Sequence, residues 1–210
     1  MTNQNRNIET VAAVMADSFM QDPGSRATME GIDEPEKLFM AHAILHSEHA
    51  FQTGSIRLLD DDPRAFVIGY DSIHENKFLE RKLHLKVIMK TIVSLGLINL
   101  ARIVKNMQKV GRVLNLSWYK GLIKGRHYRV KIIAVDKSLR GSGAFRRLIT
   151  PVLDYAGEHR IPIVLETHNP SNIGLYEHFG FTLVKTITHP DTEIEQYCMV
   201  WYPEKGPFPG

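Results

Sequence analysis

The sequence predicts an α/β fold, on three observations. From Tyr128 to Trp201 the pattern reads strand, helix, strand, helix, strand, strand. Between Ile8 and Tyr70, two helical periods precede a pair of short strands. And 210 residues at 43% hydrophobic are enough to bury one substantial core, which argues against disorder, collagen-like structure and a disulfide scaffold.

The elements follow in order. Ile8, Val11, Ala12, Met15 and Phe19 recur at helical spacing over Ile8 to Met20, and Asp22-Pro23-Gly24 is expected to end that helix. A second helix is expected over Glu36 to Phe51, with Gly54 as its stop. Ser55 to Leu59 and Ala65 to Tyr70 read as a hairpin around Asp60-Asp61-Asp62-Pro63. Asn76 to Leu116 is helix-like, and Gly96 and Gly111 are expected to divide it into two helices and a tail. Tyr128 to Val135 is a strand. Gly143 to His159 is an amphipathic helix with Phe145, Leu148, Ile149, Val152, Leu153 and Ala156 on one stripe; Pro151 inside it predicts a kink or a lost backbone bond. Ile161 to Thr167 is a buried strand. Ser171 to Phe179 is a short helix stopped by Gly180, and Phe181 to Ile187 and Gln196 to Trp201 are closing strands. Residues 1–203 are expected to form a single domain with a helical insertion at 72–126, and 204–210 a flexible tail.

Charge is unevenly placed. The net charge is +3, from 26 Lys+Arg against 23 Asp+Glu. Residues 81–135 contain 13 basic and no acidic residues, so the remainder has a net charge of −10. The one cysteine, Cys198, cannot form an internal disulfide and reads as a small buried hydrophobe. The polar N-terminus shows no apolar signal-like run, and the longest uncharged run of the basic middle, Thr91 to Ala101, is eleven residues long and too short to span a bilayer. A cytoplasmic protein without a membrane span is expected.

The most informative segment is Val135 to Phe145. A strand ends, a loop with Gly141 and Gly143 follows, and a long helix begins. Such a junction brings free N–H groups and the positive end of a helix dipole to one place, which suits a phosphate or pyrophosphate. A tight strand-to-helix turn that merely needs glycine is the competing reading. The spacing is neither a Walker loop nor Gly-x-Gly-x-x-Gly, because Arg146 stands at the third glycine position.

Arg140-Gly141-Ser142-Gly143-Ala144-Phe145 resembles the acyl-CoA signature of the GNAT superfamily of N-acetyltransferases. Leu165 to Asn172 and Tyr176 to Phe181 resemble that superfamily's second motif; with Cys198-Met199 they look closest to its puromycin N-acetyltransferase-like branch. The resemblance covers roughly residues 127–201. It implies a mixed, curved sheet with helices on both faces, splayed between the family's fourth and fifth strands, with the helical insertion between the third and fourth. The family's usual first strand has no counterpart before Ile8, and Phe145 stands where the signature has Gly or Ala.

The resemblance also implies roles. Arg140, Gly141, Ser142, Gly143, Ala144 and Phe145 would hold the pyrophosphate of acetyl-CoA, with the edge at Ala134 and Val135 and the side chain of Asn172 on the pantetheine arm. Tyr176 would assist the leaving thiolate; the competing reading is a tyrosine packed under the sheet. Glu166 is the first candidate for deprotonating the amine; the competing reading is a structural carboxylate paired with an arginine. His127 and His168 are reserve bases, or ordinary loop histidines. No metal is implied. The expected function is acetyl transfer to the primary amine of a small molecule by direct attack on the thioester. The rival is a catalytically weak or inactive CoA-binding or partner-binding module, for which Phe145 is the support.

The basic middle has three readings: lysine-rich outer faces of packing helices, a lid or homodimer surface, or attraction to something anionic. Few aromatics stand there to stack on bases, which argues against reading of nucleic acid.

Overall fold

A computed structural model describes residues 3–203, with side chains omitted for 95–98. The tail expected at 204–210 lies outside the described residues. Helices α1 (Asn3–Gln21), α2 (Pro23–Thr28) and α3 (Pro35–Thr53) lead into strands β1 (Ile56–Leu59) and β2 (Asp62–Asp71). Helix α4 (Lys77–Val110) follows, then β3 (Tyr128–Val135), α5 (Ala144–Glu158), β4 (Ile163–Thr167), α6 (Ser171–His178), β5 (Thr182–His189) and β6 (Thr192–Trp201). The six strands form one sheet in the order β1-β2-β3-β4-β6-β5, with β3 and β4 the parallel pair among antiparallel neighbours.

Alternation along the strands gives the sheet two buried faces. Ala65 and Val67 on β2 face the core built with α5, through Leu148, Ile149, Val152, Leu153 and Ala156. Phe66 and Ile68 face the other way, onto Val11, Ala12 and Met15 of α1 and Ala43 of α3. Val164, Cys198 and Val200 are covered by Trp118, Tyr119 and Ile123, from the chain that follows α4. Cys198 is fully buried, and burial pushes its thiol pKa up.

Several local outcomes differ from the sequence expectations. Asp22 does not only end α1: its side chain accepts from Ser25 N at 2.8 Å and caps α2, with Pro23 in the first turn, where a missing N–H costs nothing. Asp60 and Asp61 both take left-handed φ, so the hairpin turns on two residues and Asp62 already pairs with Leu59. The expected break at Gly96 does not occur: α4 is one 34-residue helix that ends at Gly111. A glycine inside a helix lowers propensity by about 1 kcal/mol, which the flanking turns outweigh. Helix α5 keeps Pro151 inside it, as expected. Finally, β6 begins at Thr192 rather than Gln196, because its pairing with β5 extends to His189.

Candidate active site

Strands β3 and β4 pair at two positions, Tyr128 with Ile163 and Arg129 with Val164. Beyond these the strands part. The cause lies in β3, where the register against β2 jumps from Ile68–Ile132 to Gly69–Val130, leaving Lys131 as an extra residue. Such a bulge bends a strand and re-aims its side chains. Val130 faces the α5 core, whereas Ile132 and Ala134 face α1 and α3. Gly69 is required opposite this bulge: a Cβ there would sit 2.7 Å from Arg129 O and 2.8 Å from the Tyr128 ring.

The parting strands open a cleft of about 880 Å³. Its walls bring together Ala134, Val135, Arg140, Gly141, Gly143, Ala144, Phe145, Glu166, Asn172 and Tyr176, drawn from four elements and the loop between β3 and α5. Ser142, an exposed residue of the loop, does not line the cleft; its hydroxyl donates to Leu139 O at 2.6 Å. His168 lines the cleft. His127 does not: it stands at the far end of β3 with Nδ1 3.0 Å from Gly125 O.

The loop is shaped by short-range bonds. Asp136 Oδ1 accepts from Ser138 N at 2.8 Å and from Ser138 Oγ at 2.6 Å. Gly141 and Gly143 take φ of 76° and 78°, and nothing lies within 4 Å of a Cβ built on either. Glycine is needed there for backbone conformation, not for space. No side chain caps α5, so its first-turn N–H groups are left for an outside acceptor. Phe145 turns its ring onto Phe179 at 5.2 Å and Tyr176 at 5.9 Å, between ring centroids.

Opposite the loop, Asn172 Nδ2 donates to Thr167 Oγ1 at 3.1 Å. The Tyr176 ring is wedged between Phe145 and Phe181, 9% exposed, and burial pushes its phenol up to about 12. It therefore keeps its proton at neutral pH and is a donor.

Glu166 shares a sheet face with Val164, by the same alternation that buries Val164 under Trp118. One carboxylate oxygen accepts from Arg129 Nη2 at 2.8 Å, the other from Trp118 Nε1 at 2.9 Å. Side-chain exposure is 10% for Arg129 and 11% for Glu166. Burial works against the Arg129 charge, but Glu166 and the neighbouring Tyr119 outweigh it and hold the guanidinium above its ordinary pKa. The carboxylate thus sits in the arginine-paired geometry that was the competing reading of this residue.

His168 has a different setting. Its Nδ1 lies 3.7 Å from Asp22 Oδ2, and its Nε2 is buried with no partner among the described residues. Burial would raise the Asp22 carboxyl; the contacts with His168 and Ser25 outweigh it and hold the group below its usual value. Gly24 permits the approach, since a Cβ there would lie 2.9 Å from His168 Cγ. Trp118, Arg129 and Asp22 were not singled out as site residues from sequence. Each acts through a partner at least 37 positions away, a separation that no local pattern carries.

Among the described residues no His, Cys, Asp or Glu cluster suits a metal, and no helix is long and apolar enough to cross a membrane.

Residues 96–181 match the model of the Acetyltransferase (GNAT) family. An uncharacterized protein of Mycobacterium leprae (strain TN) is 40% identical over 91 residues, which is 40% of this chain and 25% of that protein. An uncharacterized N-acetyltransferase of Schizosaccharomyces pombe is 31% identical over 74 residues, 34% of this chain and 30% of that protein. The matched stretch thus spans less than a third of the length of either relative. A structure described as histone acetyltransferase HPA2 and related acetyltransferase, from Corynebacterium glutamicum, superposes with a TM-score of 0.58 at 16% identity, covering 97% of this chain and 93% of that one. An N-acetyltransferase from Staphylococcus aureus Mu50 gives 0.55 at 15% identity, with 93% and 95% covered. The chain thus shares the fold of these solved acetyltransferases, and residues 96–181 within it resemble the Acetyltransferase (GNAT) family.

Proposed function

We propose that this chain is an N-acetyltransferase that moves an acetyl group from acetyl-CoA to the primary amine of a small molecule, by direct attack on the thioester. One observation carries the reading. An uncapped helix start, a two-glycine loop, an open strand edge and a buried tyrosine all face one cleft. These residues fit a cosubstrate that bears a pyrophosphate: the left-handed glycines let the loop amides approach an anion with no Cβ between. The backbone of Arg140 to Phe145 would hold the pyrophosphate, with Ser142 keeping the loop in shape. The edge at Ala134 and Val135 would pair with the pantetheine amides in the manner of an added strand, and Asn172 would meet the same arm. Phe145 packs on Phe179 and Tyr176, which supports a loop left clear for the anion and weakens the case for an inactive module.

Acetyl-CoA supplies the activated acyl group. The protonated Tyr176 phenol donates toward the sulfur as the thiolate leaves. Two groups compete to take the proton from the amine. Glu166 borders the cleft, with Arg129 and Trp118 on its oxygens. His168 is the second candidate, because its Nε2 is unpartnered and Asp22 orients the ring from behind. The motif resemblance to the puromycin N-acetyltransferase-like branch favours a small amine as acceptor.

Acetyl-CoA turnover across a panel of primary amines tests the proposal, with Tyr176→Phe as control. Glu166→Gln and His168→Asn separate the two bases through the pH profile of kcat/KM. Failure to bind CoA in calorimetry would overturn the reading outright.

A further inference from the structure

Helix α4 is two-sided. Its inner face carries Leu83 and Thr91, which are buried, and Thr91 Oγ1 meets His42 Nε2 of α3 at 2.8 Å. Near its start, Glu80 accepts from Lys131 Nζ at 2.7 Å and contacts His49 of α3. A helix fixed in this way should present a polar outer face. Instead, Phe78 is 74% exposed, Leu85 61%, Ile88 56%, Met89 52%, Ile92 38% and Val93 77%. At 100° per residue these six fall on one outward arc, opposite Leu83. Lys82, Lys86 and Lys90 run along one edge of it at four-residue steps, and Arg81 stands within it. Among the described residues none of these four cations has a carboxylate partner.

We propose that this outer face of α4 docks the protein onto a bilayer surface containing anionic lipid. The stripe provides apolar groups to enter the acyl boundary, and lysines whose long stems lie along it while their ammonium groups reach headgroup phosphates. The helix is about 51 Å long at 1.5 Å per residue, and lies on the surface rather than across it, since its inner face is committed to α3. Charge selects this occupant over a second copy of the chain. Residues 81–135 contain no acidic residue, so two such faces would bring cation against cation. It also selects lipid over nucleic acid, because Phe78 is the one ring on the stripe and the rest is aliphatic. The proposal stands apart from the acetyl-transfer reading and does not depend on it. The chain leaving α4 does border the cleft, through Leu114 and Leu116.

The test is flotation of the full chain with two kinds of vesicle: phosphatidylcholine alone, and equal parts phosphatidylcholine and phosphatidylglycerol. The protein is expected to float with the mixed vesicles and to partition at least about tenfold less onto the neutral ones. An Ile88→Glu/Val93→Glu variant, altered at two exposed positions and checked by thermal melting, is expected to lose a similar factor. A Lys82→Glu/Lys86→Glu variant removes the charge contribution alone and is expected to erase the preference for the mixed vesicles. Equal partition onto both vesicles, or unchanged binding by both variants, overturns the proposal. So does a dimer in sedimentation that the Ile88→Glu/Val93→Glu variant abolishes without any vesicle binding by the wild type.

Discussion

Glu166→Gln is the perturbation that says most about the site. The side chain changes one atom and keeps its shape, but the charge opposite Arg129 disappears. Arg129 is 10% exposed, and its Nε is already buried without a partner. Removing one member of a buried ion pair typically costs about 3–5 kcal/mol, because the other charge is left in a poor dielectric. The amide oxygen of Gln still accepts one of the two bonds now made by Arg129 Nη2 and Trp118 Nε1. The expected loss is therefore at the lower end, about 3 kcal/mol, or about 6–12 °C in Tm for a chain of this size. Adding Arg129→Met should restore at least about half of it, since a buried pair replaced by packed apolar groups is often close to neutral. Urea unfolding of the two variants and the wild type measures this directly. A Glu166→Gln protein that unfolds within about 0.5 kcal/mol of wild type, the range of an inert surface change, would refute the reasoning. It would mean the pair is hydrated and Glu166 is free to act as a base unassisted.

Three further outcomes are expected. Tyr176→Phe keeps the ring contacts with Phe145 and Phe181, so Tm should hold within about 2 °C while kcat falls at least about tenfold; an unchanged kcat removes Tyr176 from the chemistry. Gly143→Ala has room for its methyl but must hold φ near 78°, so CoA affinity in calorimetry should fall with a strain cost of about 1–2 kcal/mol. His46 is pushed down to about 4, first by burial and then by Lys131. The unfolded chain therefore takes up a proton near pH 6.5 that the folded chain refuses until about pH 4. Stability is whole above the unfolded pKa and declines as pH falls through this window, by about 3 kcal/mol from this group. His46→Gln should flatten the urea midpoint against pH over that range.

Particular elements show how far the pattern of residues reaches. The stripe from Phe145 to Ala156 identified both α5 and the side it buries, because a 3.6-residue period and a core on one side admit one orientation. Gly141 and Gly143 marked the loop, and both are left-handed. Misread features were those where local signals compete with packing. Gly96 looked like a helix stop, but the turns on both sides held. Asp22 looked like an end, and is also a beginning. The bulge at Lys131 has no sequence signature, since an extra residue in one strand is defined by its partner strand.

By itself the sequence determined the order of elements from β3 to β6, the loop between β3 and α5, and the segregation of charge into residues 81–135. All three follow from spacing along the chain, which sets periodicity, turn conformation and local charge. Only the tertiary structure decided what those residues do to one another. It placed Arg129 and Trp118 on the two oxygens of Glu166, Asp22 behind His168, and Phe145 on Tyr176. It also showed that the apolar half of α4 opposite Leu83 faces outward with its lysines. Such pairings depend on distance in space, and that distance is set when the bulge parts β3 from β4 and the core of the sheet chooses which face of each helix it buries.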